Sequence, residues 1–174
     1  PVVERLTAGQ LHRPRTELLA LLDTQLDIDD DEREVLTSAI NRLALGARAL
    51  VERAQALQGE QGSTEALLAV RYTARAVELL RRELDAWEAE ADRLREGVPR
   101  FDSARAADLE LEMSFALESA RAGVAGGLRE HARALVRDGR TQEAREALDE
   151  ALELAADSQR FELERLRASL GEGG

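Results

Sequence analysis

Apolar residues recur along much of the chain at alternating intervals of four and three positions. The first such series is Leu36, Ile40, Leu43, Ala47, Leu50, Ala54 and Leu57. The second series is Ala66, Val70, Thr73, Val77, Leu80, Leu84, Trp87, Ala91 and Leu94. This spacing places the apolar side chains on one face of an α-helix, as in the seam of a coiled coil. It predicts helices over residues 30–58 and 64–96, joined by a glycine-containing loop.

Two long helices joined by so short a loop run antiparallel, so residues 28–98 are predicted to form a helical hairpin. Residues 1–27 are predicted to be an N-terminal arm with a short helix after Pro14. The apolar face of that helix consists of Leu18, Leu19, Leu21, Leu22 and Leu26.

An acidic stretch at residues 27–34 begins like the calcium-binding loop of an EF-hand. That loop needs Gly at its sixth position and a bidentate Glu at its twelfth, which are Glu32 and Ser38 here. We therefore interpret the acids as a helix cap and first turn, where negative charge is favourable.

The second half of the chain comprises residues 99–174. Gly97 and Pro99 are residues that end helices, so they mark the boundary between the two halves. Residues 109–117 alternate between apolar and polar positions, which is typical of a β-strand. The same residues place Leu109, Met113 and Ala116 at helical spacing. Because the stretch contains helix-forming residues and the chain offers no second strand, we predict a helix over 103–137.

Three glycines, Gly123, Gly126 and Gly127, fall within this predicted helix. Glycine costs roughly 1 kcal/mol per position relative to alanine in a helix. Two interpretations stay open: the close approach of a neighbouring helix, which we favour, or a hinge or break at Gly126-Gly127.

The spacing of one tetratricopeptide repeat fits seven residues of the last segment: Leu128, Ala132, Leu135, Gly139, Ala144, Leu148 and Ala151. Residues 128–157 therefore resemble a single tetratricopeptide-repeat-like helical hairpin with its turn at 138–141. The resemblance implies binding of a peptide or protein through a helical groove. The candidate partner-binding residues are Leu135 and Leu148 in this hairpin, Trp87 on the second seam, and Phe161 beside the seam of the last helix.

Composition excludes several chemistries. The 174 residues include no Cys, no Lys and two histidines, and 35 Asp and Glu give a formal net charge of −11. Thiol nucleophiles, thiolate metal sites, Schiff-base lysines and multi-histidine metal sites are therefore excluded. We expect no enzyme activity, no cofactor and no metal.

We predict an all-α fold, an elongated helical bundle of two long antiparallel hairpins with coiled-coil-like seams plus the short N-terminal helix. The expected function is that of a non-enzymatic interaction, scaffold or adaptor protein whose partner is another protein or a second copy, with a homodimer favoured. A bacterial, cytoplasmic protein is expected from the Arg-rich, Cys-free composition. No segment reaches the length of a membrane span, and the negative charge disfavours nucleic acid.

Two other functions stay open. One is a small-ligand sensor in which Arg71, Arg75, Trp87 or His131 lines a pocket between helices. The other is a nucleic-acid-associated regulator that acts through its Arg-bearing N-terminal region.

Overall fold

A computed structural model of the chain describes residues 30–57, 59–97 and 103–171. Within these ranges all regular structure is helical: α1 (Asp30–Gln55), α2 (Thr64–Gly97), α3 (Ser103–Arg137), α4 (Thr141–Leu154) and α5 (Asp157–Ser169). The helices pack side by side, which confirms the predicted all-α bundle. The predicted N-terminal helix and residues 27–29 of the acidic stretch lie outside the described residues.

Helix α2 is the central element, because it packs extensively against both α1 and α3. Its predicted seam contacts α3 through Thr73, Val77 and Leu80. Every position of both seams is buried or half-buried. A second row on α2 is also buried and consists of Ala69, Ala76, Leu79, Glu83 and Ala86. This row faces α1 at Leu79, whose Cδ1 atom lies 3.4 Å from where a Cβ atom of Gly46 would be. Ser63 caps the start of α2 by accepting a hydrogen bond from the Ala66 N–H at 3.2 Å.

Helix α3 runs without interruption through both the alternating stretch and the three glycines. The helix predicted for residues 109–117 is therefore confirmed. At Gly127 a Cβ atom would lie 2.6 Å from the Leu80 Cδ1 atom of α2, and at Gly123 it would lie 3.5 Å from Leu80 Cδ2. The close approach of α2 explains why position 127 is a glycine, and α3 does not break there.

The turn between α3 and α4 is a Schellman motif centred on Gly139. The Arg140 N–H donates to the Leu135 carbonyl at 2.9 Å, and the Gly139 N–H donates to the Val136 carbonyl at 3.0 Å. Gly139 has φ +81°, a left-handed conformation that a residue without a Cβ atom adopts most readily. The turn sends α4 back antiparallel along α3.

The last helical segment is interrupted between α4 and α5. Ala155 and Ala156 are extended, with ψ angles of 134° and 156°, and they separate α4 from α5. The break precedes Asp157 because an acidic side chain is most favourable in the first turn of a helix, and α5 begins there.

Buried apolar side chains form two clusters. The main core joins all five helices and includes Leu43, Val77, Val124, Leu148 and Leu163. The end core is smaller and lies where α1 and α3 begin and α2 ends; its members are Leu36, Ile40, Ala86, Trp87, Ala91, Met113 and Ala120. Among the described residues, no helix has the length and apolar character that crossing a membrane would require.

Candidate interaction site

The predicted partner-binding residues lie in three different places. Trp87 is 6% exposed in the end core, where Leu36 and Met113 also lie. Leu135 and Leu148 are 2% and 0% exposed in the main core. Phe161 is 75% exposed on α5. The structure therefore brings Leu135 and Leu148 together inside the bundle, and only Phe161 of the four faces solvent.

The first half of α3 carries more apolar surface than the bundle covers. Residues 109–118 place Met113 in the end core, but Leu111 and Phe115 are 56% and 63% exposed. Leu111 and Phe115 are one turn apart on the side of α3 opposite Met113. A helix with apolar side chains on all sides is normally buried. This part of α3 therefore has the apolar surface that is typical of a buried helix.

An open groove of about 630 Å³ lies beside this part of α3. Its walls come from the last turns of α2, from residues 109–121 of α3, and from the junction between α4 and α5. The apolar side chains that line it are Ala91, Leu94, Leu109, Met113, Leu117, Leu154, Ala155 and Ala156. Such a lining can bind apolar side chains, and the described residues that form it include no nucleophile paired with a base.

Charged residues stand at the rim of the groove rather than on its floor. Arg95 pairs with Asp92 at 2.8 Å and Arg121 pairs with Glu88 at 3.7 Å, and all four side chains are largely exposed. Glu110 and Glu118 complete the rim. They are eight residues apart, about 12 Å along the helix, which is too far for them to share a metal ion. The rim therefore has two acids and two arginines that can orient a polar-edged ligand.

The residues named for the sensor alternative do not line this groove. Arg75 forms an exposed ion pair with Glu78, and Arg71 is exposed. His131 Nδ1 lies 2.9 Å from the Thr73 hydroxyl, which donates to the Ala69 carbonyl at 2.8 Å. Because that hydroxyl has one hydrogen, we assign the Nδ1–H tautomer, in which His131 donates to Thr73.

Burial shifts the pKa values of His131 and Glu83 in the direction that favours the neutral form. Burial lowers the pKa of His131, and the positive charge of Arg140 lowers it further. Burial also raises the pKa of the Glu83 carboxyl, partly offset by hydrogen bonding with the Trp87 indole. Neither group lines the groove.

Glu130 is the centre of a buried polar network between helices. It accepts hydrogen bonds from Gln55 at 3.0 Å, from Arg129 at 3.1 Å and from Arg133 at 2.7 Å. Burial opposes its ionisation, but the Gln55 bond and the two arginines together lower its pKa. Both arginines also pair with Glu162 of α5. The network therefore joins α1, α3 and α5 and has a structural role.

Sequence analysis did not identify Leu109, Leu111, Phe115 or Leu117 as surface residues of interest. The signal was the alternation over residues 109–117, which we used only to choose between strand and helix. In a helix, alternation distributes apolar side chains around the whole circumference, so one bundle face cannot bury all of them.

No group of three or more acidic or histidine side chains in the described ranges is arranged to hold a metal ion. Comparison of the chain with protein-family models, with curated protein sequences and with solved structures finds no match in any of the three. The groove and the exposed face of α3 are therefore the features of the described residues that bear on function.

Proposed function

We propose that this chain is a non-enzymatic helical interaction module, a scaffold or adaptor that binds an amphipathic helix of a partner protein in the groove beside α3. The observation that carries this proposal is the apolar lining of the open groove together with exposed Leu111 and Phe115. An apolar groove between helices is the usual receptor for the apolar face of a partner helix. A composition without Cys agrees with a cytoplasmic site of action.

The shape of the site supports a helix as its occupant. The groove follows α3 from Leu109 to Arg121, about 18 Å or three helical turns. Its apolar floor and charged rim match a ligand with one apolar stripe and two polar edges. Exposed apolar area of this kind on a protein surface commonly marks a protein-binding site.

The test blocks the groove without disturbing the core. Ser114 lines the groove and is exposed, so Ser114→Trp fills the binding site, while Ser38→Trp on exposed α1 surface is the matched control. Immobilised wild-type protein is used to capture partners from cells that encode it, and each captured partner is then purified and titrated against all three proteins by calorimetry. Self-association is detected by analytical ultracentrifugation as an average molecular mass that increases with protein concentration.

We expect a purified partner, or a second copy, to bind the wild type and Ser38→Trp equally and to bind Ser114→Trp at least tenfold more weakly. Equal binding to Ser114→Trp would refute the groove as the docking site. Failure of every captured protein to bind in purified form would refute the interaction function.

A small-ligand sensor is the second candidate, because a volume of about 630 Å³ lies within the range of small-molecule pockets. The probe is 8-anilinonaphthalene-1-sulfonate, an apolar anion. Saturable binding of one molecule per chain that Ser114→Trp abolishes would favour this candidate, and non-saturating binding would count against it.

A further inference from the structure

The open part of α3 has two rows of apolar side chains with two carboxylates between them. One apolar row lines the groove and consists of Leu109, Met113 and Leu117. The second row is exposed and consists of Leu111 and Phe115. Because an α-helix has 3.6 residues per turn, Glu110 and Glu118 fall between these two rows. A partner helix that contacts both rows therefore covers both carboxylates.

These two carboxylates have no cation of their own. Glu110 and Glu118 are exposed, and neither forms an ion pair or accepts a hydrogen bond within the part of the chain that the structure describes. The two arginines on the rim already pair with Asp92 and Glu88. Counted with these partners, the rim has four acids and two arginines, a net charge of −2. Two negative charges on the rim are thus left without a neighbouring arginine.

The chemistry of the occupant follows from the cost of covering these charges. A carboxylate that is covered without a partner loses its hydration and gains nothing in exchange. A cation on the occupant removes this cost and adds charge-assisted hydrogen bonds. Arginine suits the position best, because its planar guanidinium group can bind a carboxylate through two parallel hydrogen bonds. The apolar floor accepts any amphipathic helix, but the two carboxylates select a helix with cations along one edge.

We propose that the groove binds a cationic amphipathic helix that places one basic side chain opposite Glu110 and another opposite Glu118. The proposal rests on the docking function proposed above, and it names the charge of the partner. The two carboxylates are eight residues apart along α3, about 12 Å. Basic residues seven or eight positions apart on a helix that lies alongside α3 therefore reach both of them.

The charge of the whole chain acts in the same direction. A formal net charge of −11 attracts a cationic partner at long range and increases its association rate. A second copy of the chain carries the same net charge, so electrostatic repulsion disfavours it as the occupant.

Three synthetic peptides of about 20 residues, long enough to form helices, test the proposal. They share one stripe of leucines and differ only at the positions that flank it, which are all arginine, all glutamine or all glutamate. Each peptide carries a fluorescein label and is titrated with the full chain while its fluorescence anisotropy is measured. Titrations at about 0.1 M and about 1 M salt compare screening lengths of about 10 Å and about 3 Å.

The variants separate the rim charges from the net charge. Glu110→Gln/Glu118→Gln removes the two carboxylates of the rim. Glu60→Gln/Glu164→Gln is the matched control, because it removes two exposed carboxylates that do not line the groove and changes the net charge equally. Ser114→Trp blocks the groove. Circular dichroism verifies that every variant is folded.

We expect wild type to bind the arginine peptide at least fivefold more tightly than the glutamine peptide and to bind the glutamate peptide most weakly. This preference should fall below twofold in Glu110→Gln/Glu118→Gln and at high salt, and it should persist in Glu60→Gln/Glu164→Gln. Ser114→Trp should weaken the binding of the arginine and glutamine peptides at least tenfold.

The alternative outcomes are distinct. Equal binding of the arginine and glutamine peptides, both blocked by Ser114→Trp, would refute the cationic occupant and keep the docking groove. Binding of the arginine peptide that Ser114→Trp leaves unchanged, or equal loss of preference in both double variants, would show attraction by net charge alone and overturn the proposal.

Failure of all three peptides to bind would also overturn the proposal, and the purified partners would then decide the docking function by themselves. Self-association of the wild type that Ser114→Trp weakens would identify a second copy as the occupant and overturn the cationic one. Analytical ultracentrifugation of the free chain measures this outcome.

Discussion

The two halves of α3 are covered to very different extents. Along residues 120–137 the helix packs against both α2 and α4, and buried positions include Val124, Leu128, Ala132 and Leu135. Along residues 107–118 only Met113 is buried. One helix thus passes from a closed region, packed on two sides, to an open region beside the groove.

Helix length explains the difference. Helix α3 has 35 residues and α4 has 14, which correspond to about 52 Å and 21 Å. Because α4 returns antiparallel from the turn at Gly139, it ends near the middle of α3. Its last residues, with Ala155 and Ala156, form the inner wall of the groove. The groove therefore lies where the covering helix α4 ends.

The largest predicted effect contrasts one core residue from each region. Leu148→Ala removes a fully buried side chain from the closed region and should cost about 3 to 5 kcal/mol of unfolding free energy. Met113→Ala opens into the groove instead of leaving a sealed cavity and should cost about 2 kcal/mol. Urea denaturation followed by circular dichroism measures both. Equal costs would show that the two regions are packed alike.

The polar network of the closed region gives a pH-dependent prediction. Glu130→Gln keeps the shape but removes the charge that Arg129 and Arg133 contact, and should cost about 1 to 3 kcal/mol at pH 7. The folded-state pKa of Glu130 is lowered from its ordinary value of 4.5. Its ionised form therefore contributes stability above that value, and the contribution is lost as the pH falls through the folded-state pKa.

The difference in unfolding free energy between wild type and Glu130→Gln should thus stay constant between pH 7 and 5 and shrink below pH 4.5. The exposed partner Glu162 supplies the control, because Glu162→Gln should cost less than about 1 kcal/mol. A difference that grows in acid would contradict the assignment of an ionised Glu130.

A pair of neighbouring glycines tests how close α2 and α3 are in the closed region. Gly127→Ala places a Cβ atom 2.6 Å from Leu80 Cδ1, whereas at Gly126 the nearest atom, Gln159 Nε2, is 3.9 Å away. Gly127→Ala should therefore destabilise by about 1 kcal/mol or more. Gly126→Ala should stabilise by about 0.5 to 1 kcal/mol through helix propensity. Thermal unfolding measures whether each variant stabilises or destabilises the protein. Stabilisation by both variants would contradict the close approach of α2 and α3.

Local sequence patterns predicted most of the helices, because the spacing of apolar residues, the capping residues and the glycines indicate where each helix lies. The seams through Leu43 and Val77 predicted the first hairpin, and Gly139 predicted the turn of the second. The groove was not predictable in this way. It depends on where α4 ends relative to Leu109 and Leu117, and a spacing rule contains no information on how far one helix extends along another. Buried Trp87 shows the same limit, since a seam position does not reveal which helix covers it.

The smallest predicted effect on stability comes from the exposed face of the open region. Leu111→Ser and Phe115→Ser remove apolar side chains that already face solvent, so each should change the unfolding free energy by less than about 0.5 kcal/mol. If the face contacts a partner beside the groove, the double variant should weaken partner binding while Leu45→Ser, at an exposed leucine of α1, does not. Loss of stability in the double variant would mean that another part of the same chain already covers this face. Calorimetry with the purified partner and urea denaturation of the free chain therefore separate a surface that binds from a surface that is packed.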